Sequence, residues 1–229
     1  MSFANRTEAG RELAWHLKKY ANREDVIVLG VPRGGVPVAF EVATRLGVPL
    51  DIFVLRKLGV PGHEELAFGA IASGGVRVLN RETIEALGLT GLDIERVTRA
   101  ERLELERREH AYRGARPALD VSGLIVILVD DGIATGSSMC AAIRALRQMS
   151  PAALVVASPV APRSTCNRIR PEVDELVCLD MPERFYGVGQ FYDDFSQVSD
   201  EEVTDLLDTA SGRVEREYQA APAPRDRRQ

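Results

Sequence analysis

The stretch "VILVDDGIATGSSM", Val126 to Met139, decides how this chain is to be read. Four apolar residues run into two adjacent carboxylates, Asp130 and Asp131, and a turn rich in glycine and hydroxyl groups follows at once. A continuous apolar run suits a strand buried on both faces. The aspartate pair at its end repels itself, so the pattern asks for a compensating partner. Gly132 and Gly136 let the backbone turn sharply and come close to a ligand. Thr135, Ser137 and Ser138 offer hydroxyl donors, and the amides that open the next helix form an anion site suited to phosphate. The carboxylates accept from hydroxyl groups and can help organise Mg²⁺, a hard cation that takes oxygen ligands. A ligand with phosphate at one end and vicinal hydroxyls at the other is implied, and ribose 5-phosphate fits.

Outward from this stretch, strands and helices alternate. "DVIVLGV" and "PLDIFVL" (Pro49 to Leu55) read as buried strands upstream, with "VPVAFEVATRLG" between them as a helix ended by Gly47. Thr7 is the expected cap of a first helix that aligns Leu13, Leu17 and Tyr20. "FGAIASGGVRVLN" reads as a hairpin turning at Ser73-Gly74-Gly75. "SSMCAAIRALRQM" is a helix, "AALVVASPV" and "DELVCL" are strands with a helix near Ser164 to Arg170 between them, and an acidic helix begins near Ser199. The fold class is therefore α/β: a mainly parallel, Rossmann-like sheet flanked by helices, with a small hairpin region. Ligands of such sheets bind beyond the carboxyl ends of the strands. Both glycine-rich loops, after Gly30 and after Val129, leave strands at that end.

The first of those loops is "GVPRGGVP", Gly30 to Pro37. Arg33 brings a fork of donors matched to phosphate oxygens, and Gly34 and Gly35 expose backbone amides. Alone, Arg-Gly-Gly after a strand is also what a plain turn looks like. With the downstream stretch, "VILVDDGIATGSS" closely resembles the phosphoribosyl diphosphate (PRPP) motif of type I phosphoribosyltransferases, in the bacterial group that carries PRGG and VDDGIATG. The resemblance covers about Arg11 to Leu207. It implies a pentosyltransferase fold and activity, with PRPP as donor, Mg²⁺ as cofactor, and a small-molecule acceptor that the motif does not name. It further implies that Asp130 and Asp131 take the ribose hydroxyls and stand near the metal, directly or through water. Ala134, Thr135, Gly136, Ser137 and Ser138 would cradle the 5-phosphate. Arg33, Gly34 and Gly35 would hold the pyrophosphate, joined by Arg56 and Lys57, which leave the second strand for a short loop containing Gly59, Pro61 and Gly62. Catalysis is expected to rest on Asp130, Asp131, Arg33 and Lys57. The family loop often ends in Thr where this chain has Ser138.

Other segments are less specific. His63, Glu64 and Glu65 are candidate acid-base groups, though an exposed loop histidine explains the first equally well. Phe185, Tyr186, Tyr192, Asp193 and Asp194 are candidates for the hood over the acceptor, against packing as the competing reading. The charged run from Arg81 to Arg113, interrupted at "GLTG", reads chiefly as a solvated helix face built from i,i+4 pairs. The expected organisation is one domain over 1–211, hood candidates at 81–113 and 181–209, and a disordered tail over 212–229.

Across 229 residues the formal net charge is −5, which argues against nucleic acid as a partner. Three cysteines without metal-ligand spacing read as reduced thiols. No segment suggests a membrane span and the first twenty residues lack an apolar core, so a cytoplasmic protein is expected. A homodimer is left open. The alternative to an enzyme is a PRPP- or nucleotide-sensing regulator of the same fold. An ordinary P-loop kinase is disfavoured because no Gly-Lys-Ser/Thr loop is present.

Overall fold

A computed structural model describes residues 2–114 and 116–220. Its centre is a parallel five-stranded sheet of order β2-β1-β6-β7-β8, formed by Leu50–Ile52, Val26–Gly30, Ile125–Val129, Ala153–Val160 and Glu175–Asp180. The α/β expectation holds. The chain starts at β1, steps to one side for β2, and later returns to β1's other side for β6 to β8. The order therefore reverses between β1 and β6, and that seam is where a parallel sheet opens a crevice for ligands. Gly30 pairs with Val129, so the two glycine-rich loops emerge side by side.

Each central strand buries both faces, as its continuous apolar run requires. Val28, Ile127, Val129, Val155 and Ala157 pack with helices α1 (Arg6–His16) and α2 (Gly35–Leu46). Leu29, Val126, Leu128, Leu154 and Val156 face the other way, with α5 (Ser137–Gln148) and α6 (Arg163–Ile169). Helix α1 is capped by Asn5, whose side chain accepts from the Glu8 amide at 3.0 Å, so the cap lies two residues before the expected Thr7. An asparagine carbonyl caps as well as a threonine hydroxyl, and the chain simply enters the helix earlier. Gly47 ends α2 in the left-handed conformation, as expected.

The second strand is shorter than its sequence suggested. β2 stops at Ile52, and the fully buried Ser73 hydroxyl accepts the Val54 amide at 3.0 Å. That bond redirects the chain into a separate antiparallel sheet of β3 (Leu55–Val60), β4 (His63–Ala72) and β5 (Arg77–Leu79). Arg56 and Lys57 therefore lie on a strand, and the short loop expected around them is a hairpin that turns at Pro61-Gly62. Alternation explains the difference: Leu58 and Val60 are buried beside Phe68 and Ile71, while Lys57 points to solvent. The turn expected at Ser73-Gly74-Gly75 joins β4 to β5.

The charged run forms α3 (Arg81–Ala86) and α4 (Gly91–Arg113), the latter opened by a Thr90–Asp93 capping box. The solvated reading fits only one side of α4, because its other side buries Thr98, Leu105 and Tyr112 against the hairpin sheet and α7 (Asp200–Ala220). Arg113 forks onto Asp51 of β2 at 3.0 and 2.8 Å in a largely buried pair, which anchors the end of α4 to the sheet edge. The final helix reaches Ala220, and the last nine residues of the expected tail lie outside those described. No helix among the described residues is long and apolar enough to cross a membrane.

Helix α1 reaches α2 through Gly10, where an added Cβ would sit 2.7 Å from the Val38 carbonyl oxygen and 2.8 Å from the Glu41 Cβ. Gly10→Val should therefore destabilise the fold by about 1–3 kcal/mol, as overpacking does. Urea unfolding would read this as a lower midpoint at unchanged slope.

Candidate functional site

At the seam the loops touch. The Val31 amide donates to the Val129 carbonyl at 2.9 Å. A Cβ on Gly35 would lie 2.7 Å from that same oxygen, and one on Gly34 would lie 2.0 Å from Asp131 Oδ2. Glycine is thus required twice because the first loop lies directly on the acidic pair. The Pro32–Arg33 peptide just before these glycines is cis. Arg33 stands about a third exposed, with its guanidinium 3.7 Å from Asp200 at the start of α7.

The second loop turns through Gly136, at φ 70°, into α5. Gly136 caps the helix without a side chain, so the first-turn amides have no protein partner from the cap. Their partial positive charge meets solvent beside exposed Ala134, Thr135, Ser137 and Ser138. Two neighbours brace this loop. Thr165 of α6 donates to the Ala134 carbonyl at 2.7 Å, and Val188 occupies the space a Cβ on Gly132 would need. All five residues expected to cradle a phosphate are brought together here.

The two carboxylates differ in their surroundings. Asp131 Oδ2 accepts from Arg6 Nε at 2.8 Å, with both side chains only 12% exposed. Asp130 Oδ1 accepts the backbone amide of Asp131 at 2.9 Å. Desolvation raises the pKa of Asp130 well above the usual carboxylate range, and the neighbouring Asp131 charge adds to it. Burial also raises that of Asp131, against the opposing pull of Arg6.

A cavity of about 760 Å³ begins at Pro32 and Ser138 and is walled by the hairpin and α4. Among the described residues Arg56, Lys57, Arg96 and Arg108 line it with one acid, Glu101, so these side chains make its potential positive. Arg56 is already held by Glu101 at 2.7 Å, whereas Lys57 stands exposed at the cavity wall. His63 is exposed on β4, and the side chains of Glu64 and Glu65 lie outside the described set.

The aromatic candidates separate. Tyr186 is exposed, and Phe185 stacks on Phe191. Tyr192 is buried: its hydroxyl donates to the Asp131 carbonyl at 2.6 Å, and burial followed by the Asp131 charge holds the phenol protonated. It supports the acidic loop from behind. The Asp193 carboxylate accepts from Ser2, and Asp194 caps the Ser196 amide. Sequence reasoning missed three residues. Phe3 donates its amide to Phe191 and accepts from that of Asp193, which sets the chain's start against the segment after the last strand. Arg6 and Phe195 stack at 4.0 Å beside Asp131, within a small cavity of about 360 Å³ shared with Arg33 and Gly34. Nothing local in "FANRTEAG" announces this pairing, because its partners lie more than a hundred residues away.

Comparison with known proteins agrees with this geometry. A family model described as "Phosphoribosyl transferase domain" matches residues 4–196. A Mycobacterium tuberculosis H37Rv protein named "Putative phosphoribosyl transferase" is 46% identical over 208 residues, a match that covers 91% of this chain and 47% of that one. The chain thus spans about half the length of the curated relatives it matches. The crystal structure of TT1426 from Thermus thermophilus is 42% identical and superposes with a TM-score of 0.81, over 90% of this chain and 98% of that one. AQ2163 from Aquifex aeolicus, at 15% identity and a TM-score of 0.50, shares the fold over 88% of this chain and 83% of that one.

An acid whose folded pKa lies above its unfolded value favours folding while protonated and loses that contribution as pH rises through the folded pKa. Asp130→Asn should therefore raise Tm by about 2–4 °C at neutral pH, where the carboxylate is costly. The gain should fade toward about pH 4, near the unfolded carboxylate's own pKa. Thermal melts of both proteins across pH would show it, and an equal gain at every pH would contradict it.

Proposed function

Since the chain belongs to the phosphoribosyl transferase domain family, we propose that it transfers a 5-phosphoribosyl group from PRPP to a nucleophilic acceptor and releases pyrophosphate. One observation carries the reading. At the β1–β6 seam an acidic pair stands between two sets of anion-binding groups, the open amides of α5 and the Arg33-Gly34-Gly35 loop. That arrangement suits a sugar with a phosphate at each end. The 5-phosphate takes the loop from Ala134 to Ser138, the ribose hydroxyls donate to the acidic pair, and the diphosphate meets Arg33 and Lys57.

In the reaction the bond from the anomeric carbon to the diphosphate oxygen breaks as the acceptor's lone pair bonds to that carbon. Negative charge grows on the departing pyrophosphate, where Arg33, Lys57 and the loop amides would stabilise it. Two anchored ends hold the sugar in one pose, which lowers the entropic part of the barrier. The β3–β4 hairpin forms one wall of the cavity; its closure over the bound donor would exclude water, which competes with the acceptor.

Mg²⁺ fits this site as a substrate-borne ion. Among the described residues no three His, Cys, Asp or Glu side chains converge to hold a metal alone. Magnesium is commonly held by one or two carboxylates plus substrate phosphates. Asp130, desolvated and without a cationic side-chain partner among the described residues, is the donor best suited to it. When bound, the ion would neutralise charge on the diphosphate.

Isothermal titration should show magnesium-dependent PRPP binding, which Asp130→Asn weakens about tenfold to a hundredfold, the range of a hydrogen bond to a charged group. Failure of the wild-type chain to bind PRPP at millimolar ligand would sink the proposal. Pyrophosphate release across a panel of purines, pyrimidines and small amines separates transfer from sensing. A regulator would bind PRPP and stay silent with every acceptor.

A further inference from the structure

The loop from Ala134 to Ser138 offers only neutral donors of its own, its amides and the hydroxyls of Thr135, Ser137 and Ser138. A phosphate ester carries about two negative charges at neutral pH, and a charged donor binds it more strongly than a neutral one. We infer that Arg168 of α6 is a binding residue for the 5-phosphate, a contact from outside the loop that the loop motif does not contain. The inference rests on the phosphoribosyl reading of the site and adds a residue to it.

Helix α6 lies along one side of the loop. Thr165 donates to the Ala134 carbonyl at 2.7 Å, and Arg168, one turn on, falls on the same side of the helix. A Cβ on Gly136 would lie 2.8 Å from Thr165 Cγ2 and 3.0 Å from Arg168 Nη2. The guanidinium therefore stands at the residue where the loop turns into α5. There it donates to the thiol of Cys140, at the end of the first turn of α5. A thiol is a weak acceptor.

Charge balance separates Arg168 from its neighbours. Arg144 forks onto Glu172 at 3.1 and 3.2 Å, and Arg147 meets Asp174 at 2.9 Å. No carboxylate among the described residues pairs with Arg168, which is exposed. Turning it to an arriving phosphate breaks no ion pair, whereas freeing Arg144 would. The space in front of it has the right sign. A cavity of about 490 Å³ runs from Ser137 between α5 and the hairpin sheet, where Lys57, Arg144 and Arg168 line it and, among the described residues, no acid does. Lys57 also lines the larger cavity that begins at Pro32 and Ser138. Positive potential thus continues from the proposed diphosphate end of the site to the 5-phosphate end.

Titration with ribose 5-phosphate and, separately, with Mg²⁺-pyrophosphate tests the contact, because each probe meets one end of the site. Arg168→Gln should weaken binding of ribose 5-phosphate and of Mg²⁺-PRPP by about tenfold to a hundredfold, the range of a hydrogen bond to a charged group. Its affinity for pyrophosphate should stay within about twofold of wild type. Arg168→Lys, which keeps the charge and loses the fork, should recover part of the loss. Arg144→Gln, in the same cavity but held by Glu172, should bind ribose 5-phosphate as wild type does. All three variants should melt within about 2 °C of wild type, as surface substitutions do. Unchanged affinity of Arg168→Gln for ribose 5-phosphate and PRPP would overturn the contact and leave the transferase reading standing. An equal loss in Arg144→Gln would also overturn it, since a general field would then explain the effect. So would a parallel loss of pyrophosphate binding with a falling melting temperature, the mark of a structural role. A wild-type chain that binds neither ribose 5-phosphate nor PRPP at millimolar ligand would refute the phosphoribosyl reading itself, and the contact with it.

Discussion

The structure depends on a close approach between two backbones. Where β1 and β6 end together, the Arg33-Gly34-Gly35 loop lies directly on the aspartate pair, at distances that exclude even a methyl group. Every other part of the site is set by this contact. The first loop cannot move away without breaking its bond to Val129, and the acidic loop cannot move toward it without collision. Two glycine-rich loops are thereby held at a fixed separation with carboxylates between them. Rigid spacing of this kind suits the proposed ligand, whose two phosphorylated ends must be met at once.

A site so placed has an energetic cost. Two carboxylates withdrawn from water repel one another and resist ionisation, and Arg6 offsets this for one of them. The residual strain is the kind that active sites hold and the rest of a fold must carry. Here it is carried by a sheet buried on both faces and by braces that come from far along the chain. Thr165 steadies the phosphate-type loop, Val188 fills the space beside Gly132, and Tyr192 bonds the carbonyl behind Asp131.

Much of this was legible in the sequence, for a physical reason. Buried parallel strands must be continuously apolar, and glycine-rich turns must follow them where a ligand approaches, so β1, β6 and their loops announced themselves locally. The hairpin did not, because "PLDIFVLRKLGV" reads as one strand and a loop until the buried Ser73 hydroxyl captures the Val54 amide and splits it. The inner side of α4 was hidden by its charge: Leu105 and Tyr112 are sparse among arginines and glutamates, yet they suffice to seat the helix. Tyr192 was weighed as a hood residue against packing, and it is buried with its hydroxyl on the Asp131 carbonyl. Arg6 and Phe195 carried no local signal at all. Their roles arise from contacts between distant segments, which periodicity and turn chemistry do not encode.

The bond from Arg6 to the Ser196 carbonyl spans 190 positions of the chain, and the backbone pairing of Phe3 with the 191–193 segment spans nearly as many. A polypeptide leaving the ribosome therefore carries the first half of this arrangement long before the second exists. The sheet can assemble strand by strand, but Asp131 acquires its arginine only when the region after the last strand has been synthesised and has come back to the beginning. Assembly of the site is then a late and non-local event, of the kind that slows folding. Loss of either distant segment would leave a well-packed sheet with an unclasped aspartate at its mouth.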